Sequence, residues 1–331
     1  MWPYWFMFLI PAWAILGARS LPAKQAPWAW FAVGSLFVAM IGFRHEIGGD
    51  WPNYLVELGH ASQITLLEAA SKPDPGHAIL NWLVAQTGSG IYPVNFLYAL
   101  PFMAGTVVFC RRQPNPWLGL LASVPYMVIV VGMGYSRQSV ALGFALLGLV
   151  ALGDGRARTF VLWVTCGALF HKTAILLLPI AALAASRNRL LTGALVIGTT
   201  FLTYYLLLAE SADKMWDAYV TQDMQSQGGA IRVAMNALPA LLLLVFRRRL
   251  LPDPGERKLW IWLAVLALVC VPLVSLASTA VDRVALYLIP LQVFVFARLP
   301  RLAQTTGTRT VLVLGIIGYY ATVQFLSLIH I

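Results

Sequence analysis

Nearly charge-free apolar runs occupy most of this chain, and such runs have few ways to fold. They lie at 1–17, 28–43, 92–110, 117–132, 138–152, 159–171, 173–185, 190–208, 231–246, 259–278, 284–297 and 310–328, with Arg232 the one Lys, Arg, Asp or Glu inside them. Segments of about 20 apolar residues cross a bilayer as helices, and a helix satisfies its own backbone polar groups in hydrocarbon. Of 331 residues, 60% are hydrophobic and only 11% charged, against about 25% charged in soluble domains. That balance excludes a disordered chain and a soluble two-domain enzyme. The expectation is an all-α, polytopic integral membrane protein of about twelve transmembrane helices, forming a single domain over 1–331.

Charge placement orients the chain. The segments between alternate runs, 18–27, 111–116, 153–158, 186–189, 247–258 and 298–309, hold sixteen Lys or Arg against three acids, Asp154, Asp253 and Glu256. The remainder holds seven basic and ten acidic residues. Lys and Arg concentrate in cytoplasmic loops, so both termini are expected to face outward. The formal charge of +10 is then a matter of topology, and no nucleic-acid partner is expected.

Two stretches resist a simple crossing. Residues 159–185 carry His171 and Lys172 midway; they read as two short helices meeting at the outer face, or as one long tilted helix. A broken pair at that depth has to be surrounded by protein or a watery cavity. Residues 75–90 are too polar and too short for a span and read as an outer interfacial or re-entrant helix. The outer segments 44–91 and 209–230 are long enough to roof a site opening outward, and in the first Asp50-Trp51-Pro52 looks like a helix start. The first seventeen residues lack a basic leader region, which argues against a cleaved signal peptide. The terminal Leu328-Ile329-His330-Ile331 leaves the completeness of the C-terminus open. Three isolated cysteines, Cys110, Cys166 and Cys270, make neither a disulfide framework nor a metal cluster.

The seven basic residues left on the outer side are Arg44, Lys72, Arg137, Lys172, Lys214, Arg232 and Arg283. On this map Arg137, Lys172, Arg232 and Arg283 each open a descending helix. A cation in a first helical turn meets the positive end of the macrodipole, so four such placements need a reason. Helix N-termini bind anions, and arginine adds a planar fork matched to phosphate oxygens. Converging, the four would make an anion-seeking cup for a phosphate or diphosphate head group attached to a lipid. Any one of them reads equally well as a contact to ordinary phospholipid, and Asp282 could simply neutralise Arg283. Arg44 ends an ascending helix, where a cation is at ease, and draws its weight from the acid-rich RHEIGGDWPNY around it. Lys72 and Lys214 read as solvated surface.

His171 has two readings: a hydrogen-bonded interfacial histidine, or a group that exchanges a proton with a sugar hydroxyl or donates to a diphosphate oxygen. Glu46, Asp50 and Asp282 offer carboxylates as base or as orienter of a hydroxyl, in no decided order. GxSxG, HExxH and Walker patterns are absent. No acidic cluster resembles a dedicated Mg²⁺ site, and neither a metal nor a cofactor is expected.

The motif order resembles the EpsG family of exopolysaccharide polymerases, which are Wzy-like membrane glycosyltransferases. The resembling stretches are FRHEIGGDWPNY at 43–54, PGHAILNWLV at 75–84, GYSRQSVALGFALL at 134–147, ALFHKTAILLLP at 168–179, GGAIRVAMNALPALL at 228–242 and DRVALYLIP at 282–290. His77 follows Pro75-Gly76 where the family pattern leads one to expect an aromatic residue. The resemblance implies a multi-pass enzyme of the bacterial cytoplasmic (inner) membrane. It would join repeat units carried on undecaprenyl diphosphate at the outer face, with donor and acceptor glycans, membrane lipids and a chain-length regulator as candidate partners. Carried over by position, the matching residues are Arg44, Asp50, Tyr54, Arg137, Gln138, His171, Arg232 and Arg283. His171, Asp50 and Arg137 are the candidates for catalysis, and Arg44, Tyr54, Gln138, Lys172, Arg232, Asp282 and Arg283 for holding substrate. A flippase for a lipid-linked sugar would instead place its anion site near the midplane between inverted repeats, and a polysaccharide ligase would share the donor chemistry.

Overall fold

The computed structural model describes residues 1–17, 26–184, 228–251 and 254–329, with isolated helical positions between 190 and 201. Most of the expected run at 190–208, nearly all of the outer segment 209–230 and Lys214 lie outside the described residues. Every regular element among the described residues is helical. Four helices are long and apolar enough to cross a membrane: Tyr92–Arg111, Pro116–Gly134, Ser136–Gly153 and Thr306–Leu328. A fifth candidate is the pair Ser278–Leu286 and Ile289–Leu302, bent by 46° at its break. Trp2–Leu16, Ala26–Gly42 and Gly229–Val245 are apolar but shorter.

In chain order, α1 (Trp2–Leu16) and α2 (Ala26–Gly42) precede three short helices, α3 (Trp51–Ala61), α4 (Leu66–Ala70) and α5 (Pro75–Ala85). Pro52 and Pro75 sit in the first turns of α3 and α5, where a missing N–H costs no intrahelical bond. Thr65 and Glu68 close α4 with reciprocal side-chain bonds to each other's backbone amide. Then come α6 (Tyr92–Arg111), α7 (Pro116–Gly134) and α8 (Ser136–Gly153). Within α7 the backbone widens to π geometry over Val124–Val131, just where Pro125 removes a donor.

The stretch 159–185 is broken. Helix α9 (Ala157–Ala168) ends before His171, a tight 3₁₀ turn covers Lys172–Leu177, and α10 (Leu178–Ala184) continues. Beyond the undescribed residues run α11 (Gly229–Val245), α12 (Pro254–Leu273), α13 (Ser278–Leu286), α14 (Ile289–Arg298) and α15 (Thr306–Ile329).

The centre of the bundle is α6, α7, α8 and α14. A Cβ on Gly105 would fall 2.1 Å from the Gly143 carbonyl oxygen, and one on Gly143 would fall 2.5 Å from Phe102 Cα. Helices α6 and α8 therefore touch backbone to backbone, the small-residue contact that membrane helices favour. Stacked rings fill wider gaps: Trp30 on Trp117 at 4.3 Å and Trp260 on Phe294 at 3.6 Å between centroids. One polar thread runs through this apolar core, from Asn236 to Gln292 (2.7 Å) to the Tyr320 hydroxyl (3.3 Å).

Two ends of the bundle are chemically distinct. At one end Arg112 binds Asp154 through both guanidinium nitrogens (3.2 and 3.0 Å), Arg156 joins the same carboxylate at 2.7 Å, and Arg298 meets Glu256 at 3.5 Å and hydrogen-bonds Gln113. Four of the segments rich in Lys and Arg are thus gathered together. Arg137 stands at the other end of α8, about 25 Å from Asp154 at the helical rise of 1.5 Å per residue.

Candidate functional site

At that second end lies a polar cavity of about 500 Å³. One face of α3 supplies Asp50, Tyr54, Glu57 and Ala61, spaced as successive turns of a helix place them. The approach to α5 and its first turns add Lys72, Asp74, His77 and Asn81. The joint between α7 and α8 brings Tyr135, Arg137 and Gln138; the break after α9 brings His171, Lys172 and Thr173; the end of α13 brings Arg283.

Helix α5 is fastened to the break. The Gly76 amide donates to the Leu169 carbonyl at 2.8 Å, and the Lys172 amide donates to Asp74 Oδ1 at 3.2 Å. A Cβ at position 76 would sit 3.0 Å from that same carbonyl oxygen, so glycine allows the approach.

The cavity wall carries four cations, Lys72, Arg137, Lys172 and Arg283, against three carboxylates, Asp50, Glu57 and Asp74. Arg137 bridges Glu57 (3.6 Å) and Asp74 (3.5 Å), with its guanidinium over the Tyr54 ring at 6.0 Å. Its place in the first turn of α8 is thereby compensated by two carboxylates. Glu57 Oε2 also accepts from His77 Nε2 at 2.8 Å. Burial works to raise the pKa of Glu57, but the His77 hydrogen bond and the Arg137 charge outweigh it and hold the group below the usual carboxylate range. For Asp74 the balance is reversed, and burial prevails over Arg137 and the Lys172 amide to raise it.

Arg283 is held by a neutral partner, Gln138, and makes no ion pair among the described residues. His171 engages Thr173 Oγ1 through Nδ1 at 2.6 Å, leaving Nε2 for a ligand. It lies in the link between α9 and the next turn, where burial, followed by the charges of Arg283, Arg137 and Lys172, holds its pKa well below the usual histidine range.

Of the residues proposed from sequence, Asp50, Tyr54, Arg137, Gln138, His171, Lys172 and Arg283 share this one cavity. Arg44, Arg232 and Asp282 do not line it. Arg44 is buried and serves as a clamp, donating to the Gly132 and Met133 carbonyls, to Asn95 Oδ1 at 3.1 Å and to Ser136 Oγ. Arg232 and Asp282 form a buried ion pair behind the wall, with Arg232 Nε donating to the Tyr126 hydroxyl at 2.5 Å. The Tyr135 ring connects this pair to the cavity, since Arg232 and Arg283 lie over it at 5.7 and 5.6 Å. Arg137 and Arg232 do stand in first helical turns, but Arg283 does not. It occupies the last turn of α13, where the dipole welcomes a cation, because the chain breaks before α14 begins at Ile289.

Glu57, Asp74, His77 and Tyr135 are site residues that the sequence reading passed over, and Lys72, set aside as surface, borders the cavity while staying exposed. The spacing of Glu57 seven residues after Asp50 was the available signal for the first. Nothing local marks the partners of Asp74 or His77.

Helices long and apolar enough to cross a membrane, with a charged cavity at one end of their bundle, place the chain in the class of all-helical membrane proteins. The profile of the EpsG family matches residues 28–331, and the chain belongs to that family, which comprises Wzy-like polymerases of exopolysaccharide. No curated protein and no solved structure matches the chain.

Proposed function

We propose that this protein polymerises glycan repeat units carried on undecaprenyl diphosphate, at the outer face of the bacterial cytoplasmic membrane, as a chain crossing about twelve times. The observation that carries the reading is the convergence of Arg137, Gln138, His171, Lys172 and Arg283 on one cavity with three carboxylates. Cations and carboxylates in one hollow suit a reaction with an anionic leaving group and a hydroxyl nucleophile.

In this reading Arg283 and Lys172, with Arg137 beside them, meet the diphosphate as the donor's glycosidic bond breaks. Charge grows on the leaving oxygen, and fixed donors there lower the barrier without reorganising. His171 presents Nε2 as a neutral hydrogen-bonding group. Asp50 and Tyr54, on the α3 face, orient sugar hydroxyls. The sugar arrives activated by its lipid diphosphate, so no nucleotide is required. The orientation follows from the charge map: the cavity is at the end opposite the gathered Arg112, Arg156 and Arg298.

The test is to give the purified protein a lipid-diphosphate repeat unit and resolve the products by size. A ladder of lengths with release of lipid diphosphate is expected. Transfer of a single unit to a different acceptor would indicate a ligase, and movement of intact substrate between leaflets with no new bond a flippase.

A further inference from the structure

We propose that Glu57 is the group that takes the proton from the acceptor hydroxyl, with His77 and Tyr98 as positioning residues behind it. The inference rests on the polymerase reading and names a catalytic residue within the same cavity.

The two oxygens of Glu57 are treated differently. Oε2 is fixed by His77 Nε2 at 2.8 Å, whereas Oε1 faces Arg137 at 3.6 Å, beyond hydrogen-bond range, on the cavity wall. With Nε2–H donating to the carboxylate, Nδ1 of a neutral ring is an acceptor, and the Tyr98 hydroxyl supplies its proton. Asn81 completes the seat, its Nδ2 donating to the His77 carbonyl at 2.9 Å and standing 3.3 Å from the Tyr98 hydroxyl. His77 borders the cavity beside Glu57 but is only 6% exposed, and Tyr98, 2% exposed, stands behind it outside the lining. A base oriented by a second group, itself held by a third, is the arrangement that proton-transfer sites require.

The other candidates are less suited. Asp74 also has one oxygen fixed and the other beside Arg137, at 3.5 Å, but its fixing donor is the Lys172 backbone amide, which ties α5 to the break, rather than a ring held by a third group. The Asp50 carboxylate makes no capping bond to α3, and no hydrogen bond among the described residues fixes it. His171 would become an imidazolium among Arg283, Arg137 and Lys172. A carboxylate that takes a proton becomes neutral and adds no cation to that group.

The step balances as follows. The acceptor oxygen forms a bond to the donor's anomeric carbon, and the bond from that carbon to the diphosphate oxygen breaks, leaving its electron pair on the diphosphate. The hydroxyl proton passes to Glu57 Oε1 and is later lost to water. The diphosphate departs as an anion facing Arg283 and Lys172.

The experiment uses the purified full chain with a lipid-diphosphate repeat unit, measuring donor binding and initial polymerisation rate separately. Glu57→Gln should lower the rate on the order of 10²–10⁴-fold while donor affinity stays within about threefold of wild type. Glu57→Ala should be equally slow and partly recovered by sodium formate, which can occupy the vacated position; His77→Ala and Asp74→Ala should show no such recovery. Glu57→Gln polymerising within about threefold of wild type would overturn the proposal, as would loss of donor binding in step with rate, or no response of Glu57→Ala to formate. Wild-type protein that binds donor yet never lengthens it would instead overturn the polymerase reading itself.

Discussion

Gln138 and Arg283 hold each other twice: Arg283 Nη1 donates to Gln138 Oε1 at 3.1 Å, and Gln138 Nε2 donates to the Arg283 backbone carbonyl at 3.2 Å. The exchange joins the first turn of α8 to the last turn of α13 across 145 residues. It also sets the direction of the cavity's arginine that lacks a carboxylate partner among the described residues.

Arg283→Ala should therefore slow polymerisation on the order of 10²–10³-fold, the usual cost of removing one fixed donor from developing charge. Arg283→Lys should recover little, since an ammonium lacks the planar fork. Gln138→Ala should cost less than either, because the charge remains and only its aim is lost. Initial rates at one donor concentration decide the order, and a wild-type rate for Arg283→Ala would remove it from the leaving-group site.

The Arg232–Asp282 pair calls for a different outcome. Both residues are buried, at 2% and 4% exposure. Removing one partner of such a pair strands the other charge and costs about 3–5 kcal/mol. Arg232→Ala should lower the melting temperature in detergent markedly, with activity falling through loss of folded protein as well as through Tyr135. Unchanged melting would mean that the pair contributes nothing to the bundle.

Packing between α6 and α8 allows no added atoms. In Gly143→Val the new Cβ would stand 2.5 Å from both Phe102 Cα and the Pro101 carbonyl oxygen, which are backbone atoms and cannot swing aside. Overpacking of this kind costs about 1–3 kcal/mol or more. Gly315→Val, where nothing lies within 4 Å, should be tolerated. The comparison of the two melting curves is the check.

Acid should reveal the Glu57 contacts. Its folded pKa lies below the usual 4.5, so the stability it contributes is complete above that value and is lost as pH falls through the folded one. The difference in melting temperature between wild type and Glu57→Gln should shrink on going from neutral pH to below 4.5. Asp74 is shifted upward and acts in the opposite sense. A difference that does not change with pH would show that the His77 and Arg137 contacts carry no linked protonation.

Much of this arrangement is legible in the chain. The apolar runs lead to helices, the break at His171 follows from its polar pair, and seven proposed residues meet in one cavity. The failures have physical causes. Arg283 was expected to open a helix because residues 282–297 contain nothing that announces the break at Tyr287 and Leu288; Pro290 fits a first turn as readily as a kink. Arg232 and Asp282 looked like rim residues, yet each is neutralised by tertiary contact, and pairing between helices leaves no local trace. Glu57, Asp74 and His77 were hidden for the same reason: each carries an ordinary polar identity in an amphipathic stretch and gains its role from Arg137 or Tyr98, far away in sequence.

The fastening of α5 to the break after α9 has a consequence for how such a chain can diversify. Because the Gly76 amide and the Asp74 carboxylate both grip residues 169–172, the stretch before α5 has no slack, and an added or deleted residue there would shift every cavity group that α5 carries. Among the described residues the turn at 86–90 has no such tether: a Cβ at Gly88 or Gly90 would meet open space. Length changes that adapt the enzyme to different sugars should accumulate in that turn and leave the 72–76 stretch unaltered.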